Sequence, residues 1–212
     1  MIGEDEARAI ARTAAEFDVA VTPGALSQLG AFVELFLNWN RSINLASLRS
    51  EDELVGRHLI DSFALAALIG RDVASAVDVG SGGGLPAVPL AALLPSTRFV
   101  LFEPNRKKAA FLRTAVRSLD LGARVRIETQ SVERPVAASL AGQFDLALSR
   151  ATLAPAVWLE LGLELVRPGG RVAVFAAGQS DVGLPTSGAS RSYGENRRLL
   201  LFRRENKVPR GT

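Results

Sequence analysis

The hydrophobic pattern changes period near residue 70. Before it, apolar residues recur every three to four positions, the spacing of one helix face. Ala7, Ile10, Ala11 and Ala14 predict a helix over residues 4–16. Thr22-Pro23 reads as an N-cap followed by a first-turn proline. The helix it opens runs to about Trp39, with Leu26, Leu29, Phe32, Val33, Phe36 and Leu37 on its apolar face. The polar stretch 38–45 predicts a turn, and Ser50, ahead of Glu51, Asp52 and Glu53, predicts the cap of a third helix to about Ile69. From Ala76 onward, strand-length apolar runs at 76–79, 98–102, 124–129, 144–148 and 171–176 alternate with helical segments near 86–94, 105–119, 132–141 and 154–166. That alternation predicts an α/β architecture with a parallel, doubly wound sheet. Pro168-Gly169-Gly170 is expected to turn the chain into the fifth strand, and residues 191–194 and 198–203 to form a closing antiparallel hairpin. The expected organisation is one compact unit, an N-terminal helical cap (1–70) on an α/β domain (71–212).

One junction in this pattern carries chemistry. The buried strand Ala76–Val79 is followed by glycines at 80, 82, 83 and 84, and then by Pro86 at the start of an apolar helix. Glycine permits positive φ and lets a ligand approach the backbone closely. Strand, glycine turn and helix start together predict a nucleotide-type cofactor corner built around Gly80 and Gly82. The second strand ends in Glu103, 23 residues after Gly80, at the carboxyl edge where open α/β sheets bind ligands. A carboxylate there can accept both ribose hydroxyls.

Composition narrows the chemistry. The 212 residues are 48% hydrophobic and 22% charged, ordinary for a globular protein. No cysteine and a single histidine, His58, exclude disulfides, thiolate chemistry and a multi-histidine metal site. The acidic N-terminus lacks signal-peptide character, and no apolar run approaches a bilayer span. A soluble, cytoplasmic protein is expected. Net charge is only +3, but Arg106, Lys107, Lys108, Arg113, Arg117, Arg124 and Arg126 stand against one acid, Asp120. A second basic concentration, Arg191, Arg197, Arg198, Arg203, Arg204, Lys207 and Arg210, lies in the tail. These are either solvated element faces or a polyanion surface.

Two cofactor classes use such a corner. The dinucleotide fingerprint requires a glycine at its sixth position, where this chain has Leu85. The spacing Gly80-x-Gly82-x-Gly84 instead resembles the first motif of S-adenosylmethionine-dependent methyltransferases. The full stretch Asp78-Val79-Gly80-Ser81-Gly82-Gly83-Gly84-Leu85-Pro86-Ala87-Val88-Pro89-Leu90 is similar to that of the bacterial small-subunit (16S) ribosomal RNA guanine-N7 methyltransferases, also called glucose-inhibited division protein B. Four further stretches resemble that family in the same order: Trp39-Asn40-Arg41-Ser42-Ile43-Asn44-Leu45, Arg57-His58-Leu59-Ile60-Asp61-Ser62, Lys107-Lys108 with Phe111-Leu112-Arg113, and Ser149-Arg150-Ala151.

The resemblance, which spans roughly residues 20–178, implies a Rossmann-like class I methyltransferase that uses S-adenosylmethionine. It implies a guanine N7 in the 530 loop of 16S RNA, free or in the small ribosomal subunit, as acceptor; a monomer is expected because nothing in the sequence demands more. The resemblance places cofactor contacts on Gly80, Leu85, Val132, Glu133 and Arg150, beside the Glu103 and Gly82 positions read from the corner. The basic helix from Arg106 to Arg117 and the basic tail are then expected to bind RNA, mostly by phosphate contacts, through Arg106, Lys107, Lys108, Arg113, Arg197 and Arg198. N7 has an exposed lone pair, so no general base is required and catalysis reduces to positioning, to which Arg150 could contribute. The chain departs from the family in having Ala177-Gly178 where a Lys-Gly pair is usual, Glu103 where Asp is common, and a short connection after strand five. Alternatives are a methyltransferase of small molecules or proteins on the same fold, or a non-catalytic RNA-binding relic.

Overall fold

The computed structural model describes residues 3–47, 53–178, 184–185 and 188–205. Its seven-stranded sheet is built from β1 (Ser75–Val79), β2 (Arg98–Phe102), β3 (Val125–Glu128), β4 (Phe144–Ser149), β5 (Val166–Ala177), β6 (Ala189–Tyr193) and β7 (Arg197–Arg203). Strand order is β3-β2-β1-β4-β5-β7-β6. The first five strands pair in parallel, and β7 pairs antiparallel with both β5 and β6. The predicted hairpin is therefore present, with Gly194, at φ +54°, and Asn196, at φ +62°, in its turn. β1 and β4 run at the centre and are almost wholly buried, as expected of parallel strands covered on both faces.

Among the described residues, six α-helices surround the sheet: α1 (Glu4–Ala15), α2 (Pro23–Ile43), α3 (Ile60–Ile69), α4 (Ala87–Leu93), α5 (Arg106–Ser118) and α6 (Pro155–Leu165). Thr22 caps α2 as predicted, its hydroxyl accepting the Ala25 N–H at 3.2 Å. The turn expected over 38–45 is displaced. α2 continues to Ile43 and ends on Asn44 in the left-handed conformation, because Trp39 packs on Phe111 and the helix keeps gaining buried contacts. The Ser50 cap lies outside the described residues; the third helix enters instead through a π-helical turn, Leu54–Leu59, that runs directly into α3.

Two further expectations are corrected. Residues 132–141 form no helix but an irregular connection with a cis Arg134–Pro135 bond. Its polar groups are held from outside: the Arg134 guanidinium pairs with Glu160 and Glu164, and the Val136 N–H donates to Glu164 at 3.0 Å. Arg167–Gly170 does not precede the fifth strand but sits within it, as a register shift against β4 between Phe144 and Leu146.

The N-terminal helices share a core with the sheet. Ile10, Phe32, Phe36, Phe63, Leu90, Phe99, Phe111 and Leu146 belong to one buried cluster spanning α1–α5 and one sheet face. A smaller cluster under α6, including Val77, Val79, Trp158 and Val174, covers the other face. At β1, alternation sends Val77 and Val79 to the α6 side and Ala76 and Asp78 to the side of the N-terminal helices. No described helix is long and apolar enough to cross a membrane.

Candidate functional site

Strand order reverses at β1, whose neighbours are β2 and β4, and a cavity of about 550 Å³ opens at the carboxyl ends of these strands. This is where doubly wound sheets bind ligands. Its floor is Val79, Gly80, Ser81, Gly82 and Gly83; β2 contributes Phe102 and Glu103, the β3 exit contributes Gln130, Ser131 and Val132, and the β4 exit contributes Arg150 to Leu153. Leu45, Ala46 and His58 from the N-terminal region close the rim.

The glycine corner is tightly bound to its neighbours. Gly80, at φ +73°, has no room for a side chain, since an added Cβ would lie 2.4 Å from the Thr152 hydroxyl. The Gly80 and Ser81 N–H groups both donate to the Phe102 carbonyl, at 2.9 and 3.0 Å. The Gly82 N–H donates to Glu103 at 2.7 Å and the Gly84 N–H to the Ser81 carbonyl at 2.7 Å. α4 offers little more. The Val88 N–H donates to Gly84, the Leu90 N–H to Pro86, and Pro86 and Pro89 have no N–H at all. A corner in which the Gly80, Ser81, Gly82 and Gly84 amides are spent internally, followed by a proline-bearing helix start, is a poor seat for a pyrophosphate.

Glu103 is held by two backbone amides. Its oxygens accept the Gly82 N–H and, at 2.8 Å, the Asn105 N–H, while Asn105 itself caps α5 through the Lys107 and Lys108 N–H groups. The carboxylate is 6% exposed and lines the cavity with acceptor capacity to spare. Directly below the floor lies Asp78, whose two carboxylate oxygens are buried with no hydrogen-bond partner. The neighbouring Ser81 hydroxyl donates to the Asp78 main-chain carbonyl at 3.2 Å. Burial raises the Asp78 pKa to about 7; the nearby Ser81 hydroxyl works against that rise, and the Glu103 charge adds to it. By sequence alone this acid is only one residue of the strand. The signal for it is its place in an otherwise apolar buried run.

At the opposite flank, Arg150 is built into a polar network. Its Nε pairs with Asp61 Oδ2 at 2.9 Å and its Nη2 meets His58 Nδ1 at 2.7 Å. Asp61, 2% exposed, also accepts the Tyr193 hydroxyl at 2.7 Å and Arg197 Nη1 at 3.1 Å. Burial, followed by Arg150, Arg197 and Arg57, lowers the His58 pKa to about 4, with Glu53 opposing. Ala151, next to Arg150, adopts a positive φ of 56°.

Of the residues singled out from sequence, the fold brings Gly80, Gly82, Leu85, Glu103, Val132, Arg150 and Lys108 to one cavity. The Glu133 side chain is exposed and does not line it. Gln130 and Ser131 do line it; the helix expected to begin beside them hides them from sequence reasoning. Arg106, Lys107 and Arg113 are exposed on α5, as is Arg198 on β7. Arg197 corrects the idea of a uniformly basic, open tail: its guanidinium is bound to Asp61 and the Arg57 carbonyl. Arg191 lies 5.0 Å from the Phe17 ring centroid, and Arg124 donates to the Ala91, Leu94 and Thr97 carbonyls at the end of α4. Lys207 and Arg210 lie outside the described residues. Ala177 ends β5 and is not part of the cavity wall. Among the described residues no group of three or more His, Cys, Asp or Glu could hold a metal ion.

Comparison with known proteins follows the same lines. Residues 25–184 match the family described as rRNA small subunit methyltransferase G. A ribosomal RNA small subunit methyltransferase G of Anaeromyxobacter sp. (strain Fw109-5) is 33% identical over 82% of this chain and 79% of its own length. One of Stenotrophomonas maltophilia (strain K279a) is 40% identical over 72% of this chain and 68% of its own. Among solved structures, a methyltransferase from Geobacter sulfurreducens superposes with a TM-score of 0.59 at 17% identity, over 83% of this chain and 89% of that one. A tRNA (m1A58) methyltransferase from Aquifex aeolicus superposes at 0.52 and 16% identity, over 69% of each chain. At those identities the structural likeness speaks to the fold.

Proposed function

The chain belongs to the rRNA small subunit methyltransferase G family, and from that premise we propose that it transfers a methyl group from S-adenosylmethionine to N7 of a guanine in the 530 loop of 16S RNA. The observation that carries the cofactor assignment is the pairing of a spent glycine corner with two buried carboxylates. The four corner amides used internally do not favour a diphosphate, whereas the Glu103 carboxylate on the cavity wall and that of Asp78, buried one residue before the floor, favour a ligand with positive charge. S-adenosylmethionine is such a ligand and supplies an electrophilic sulfonium methyl when bound.

The chain's own residues would then divide the cavity. Glu103, fixed by Gly82 and Asn105, receives the ribose hydroxyls on the β2 flank. Val132 offers the adenine an apolar wall at the β3 exit, and the main chain and side chains of Gln130 and Ser131 offer polar contacts. Arg150 retains N–H donors beyond those given to Asp61 and His58 and is placed to receive the methionine carboxylate. No proton need leave N7 before attack, so the residues have to orient and desolvate rather than deprotonate. The RNA backbone would run over the exposed cations Arg106, Lys107 and Arg113 of α5, with Lys108 between that surface and the cavity and Arg198 a further contact. A monomer suffices for this arrangement.

Calorimetry with S-adenosylmethionine and with NAD, together with labelled-methyl transfer to 16S RNA and to small subunits lacking the modification, tests the reading. S-adenosylmethionine alone should bind, and one RNA form should accept methyl at a guanine N7. Gly82→Val provides the internal check. The nearest atom to an added Cβ is the Gly80 carbonyl oxygen at 3.9 Å, and at φ +56° a β-branched residue also strains the turn. Normal cofactor binding by that variant would show the corner to be misassigned.

A further inference from the structure

His58 has a fixed protonation pattern that the cofactor does not require. A guanidinium has donors only, so Arg150 Nη2, 2.7 Å from His58 Nδ1, must donate to that nitrogen. Nδ1 is thereby the lone-pair nitrogen, and the proton of the neutral ring sits on Nε2. The surroundings hold the ring neutral. Burial, then Arg150 at the β4 exit, Arg197 on β7 and Arg57 on its own turn, lower its pKa to about 4, with the Glu53 carboxylate opposing. Arg150 is itself held by Asp61, which also receives Tyr193 and Arg197, so the tautomer is supported by residues from α3, β6 and β7. The π-helical turn places this ring on the cavity rim at the Arg150 flank, two strands from Glu103 in the order β2-β1-β4. Leu45, Ala46 and Leu153 give the same rim apolar walls.

A purine presented at that rim for attack through N7 shows its Hoogsteen edge. On guanine that edge carries two acceptors, N7 and O6; on adenine the second group is the N6 amino donor. We propose that His58 Nε2–H donates to O6 of the acceptor guanine and so both orients N7 and selects guanine over adenine, with Arg150 as the residue that sets the tautomer. In a desolvated site a donor facing N6–H₂ leaves two unpaired donors, so the same contact that holds guanine rejects adenine. This rests on the methyl-transfer reading above.

The test compares 16S RNA carrying guanine at the target with RNA carrying 2,6-diaminopurine there, which keeps N7 and the 2-amino group but replaces O6 by an amino group. Wild-type protein should methylate the guanine RNA roughly ten- to a hundredfold better in kcat/KM, the range of a good base-edge contact. His58→Phe, which keeps a ring without a donor, should lose a similar factor on guanine RNA and treat the two RNAs alike. His58→Gln, whose amide reaches toward the Nε2 position, should restore part of the preference. Rates are compared at saturating S-adenosylmethionine, with its affinity measured in parallel, so that a loss passed through Arg150 to the methionine carboxylate is separated from a loss of base selection. Failure of the wild type to methylate any guanine RNA would overturn the methyl-transfer reading and this proposal with it. Methylation by the wild type with the same guanine preference in His58→Phe would overturn the assignment of His58 alone.

Discussion

A carboxylate buried without a hydrogen-bond partner, as Asp78 is, destabilises the chain that contains it unless a ligand compensates. It titrates near 3.8 when exposed and near 7 in the fold. Between those values the native state keeps a proton that the unfolded state has lost, so the Asp78 contribution makes stability fall as pH rises, levelling off above about 7. His58 acts in the opposite sense. Its ordinary value of 6.5 drops to about 4 in the fold, so its contribution is complete above 6.5 and is lost as pH falls toward 4. The two slopes oppose each other over one window in the cofactor-free protein. Asp78→Asn should therefore make Tm fall more steeply on acidification from pH 7 to 4, and His58→Phe should reverse that trend. Thermal melts at half-unit pH steps check this; unchanged slopes in both variants would mean that neither side chain titrates as its surroundings require. Asp78→Asn should also weaken S-adenosylmethionine binding about tenfold or more, equivalent to about 1.4 kcal/mol, measurable by calorimetry.

Elements were legible in the sequence where one period dominated. The five parallel strands, the hairpin and the helices Glu4–Ala15, Arg106–Ser118 and Pro155–Leu165 lie within a few residues of their predicted places. The failures share a cause, which is that long-range partners decided the local conformation. Residues 132–141 have helical spacing, yet their polar groups are met by Glu160 and Glu164 on α6 and not by their own turns. In the same way, glycine content alone could not separate the glycines that a ligand needs from those that packing needs. Gly83 is of the second kind. An added Cβ would lie 2.6 Å from Phe36 Cε2 and 3.2 Å from Leu45 Cβ, and Phe36 has no freedom, being buried between Phe32 and Phe111. Gly83→Ala should destabilise by about 1–3 kcal/mol through this overpacking. Phe36→Leu should cost less in the Gly83→Ala background than alone, a coupling that a double-mutant cycle in urea would reveal. Additive effects would mean that α2 does not bear on the corner.

At the scale of the molecule, Asp61 ties the N-terminal helices to the sheet. From α3 it binds Arg150 at the β4 exit, Tyr193 on β6 and Arg197 on β7, and it does so from within the buried cluster shared by the N-terminal helices and the sheet. One carboxylate thus holds two partly buried guanidinium groups and a phenol whose pKa is raised by burial and by Asp61 itself. Neutralising it leaves those arginines uncompensated, and Asp61→Asn should destabilise the protein by about 3–5 kcal/mol. The chain's two tryptophans report which part of the molecule is affected. Trp39 lies on α2 against Phe111, and Trp158 lies on α6 with its indole N–H donating to the Ala173 carbonyl at 2.7 Å. Since the two clusters share one sheet and the Asp61 network ties the N-terminal helices to it, Trp158→Phe, which retains the Trp39 signal, and Trp39→Phe, which retains that of Trp158, should each show fluorescence coincident with its own far-ultraviolet circular dichroism as urea rises. Asp61→Asn should move both signals together to lower urea. An N-terminal signal that melts first, or alone in Asp61→Asn, would make residues 1–70 a separate folding unit and the Asp61 network a local contact.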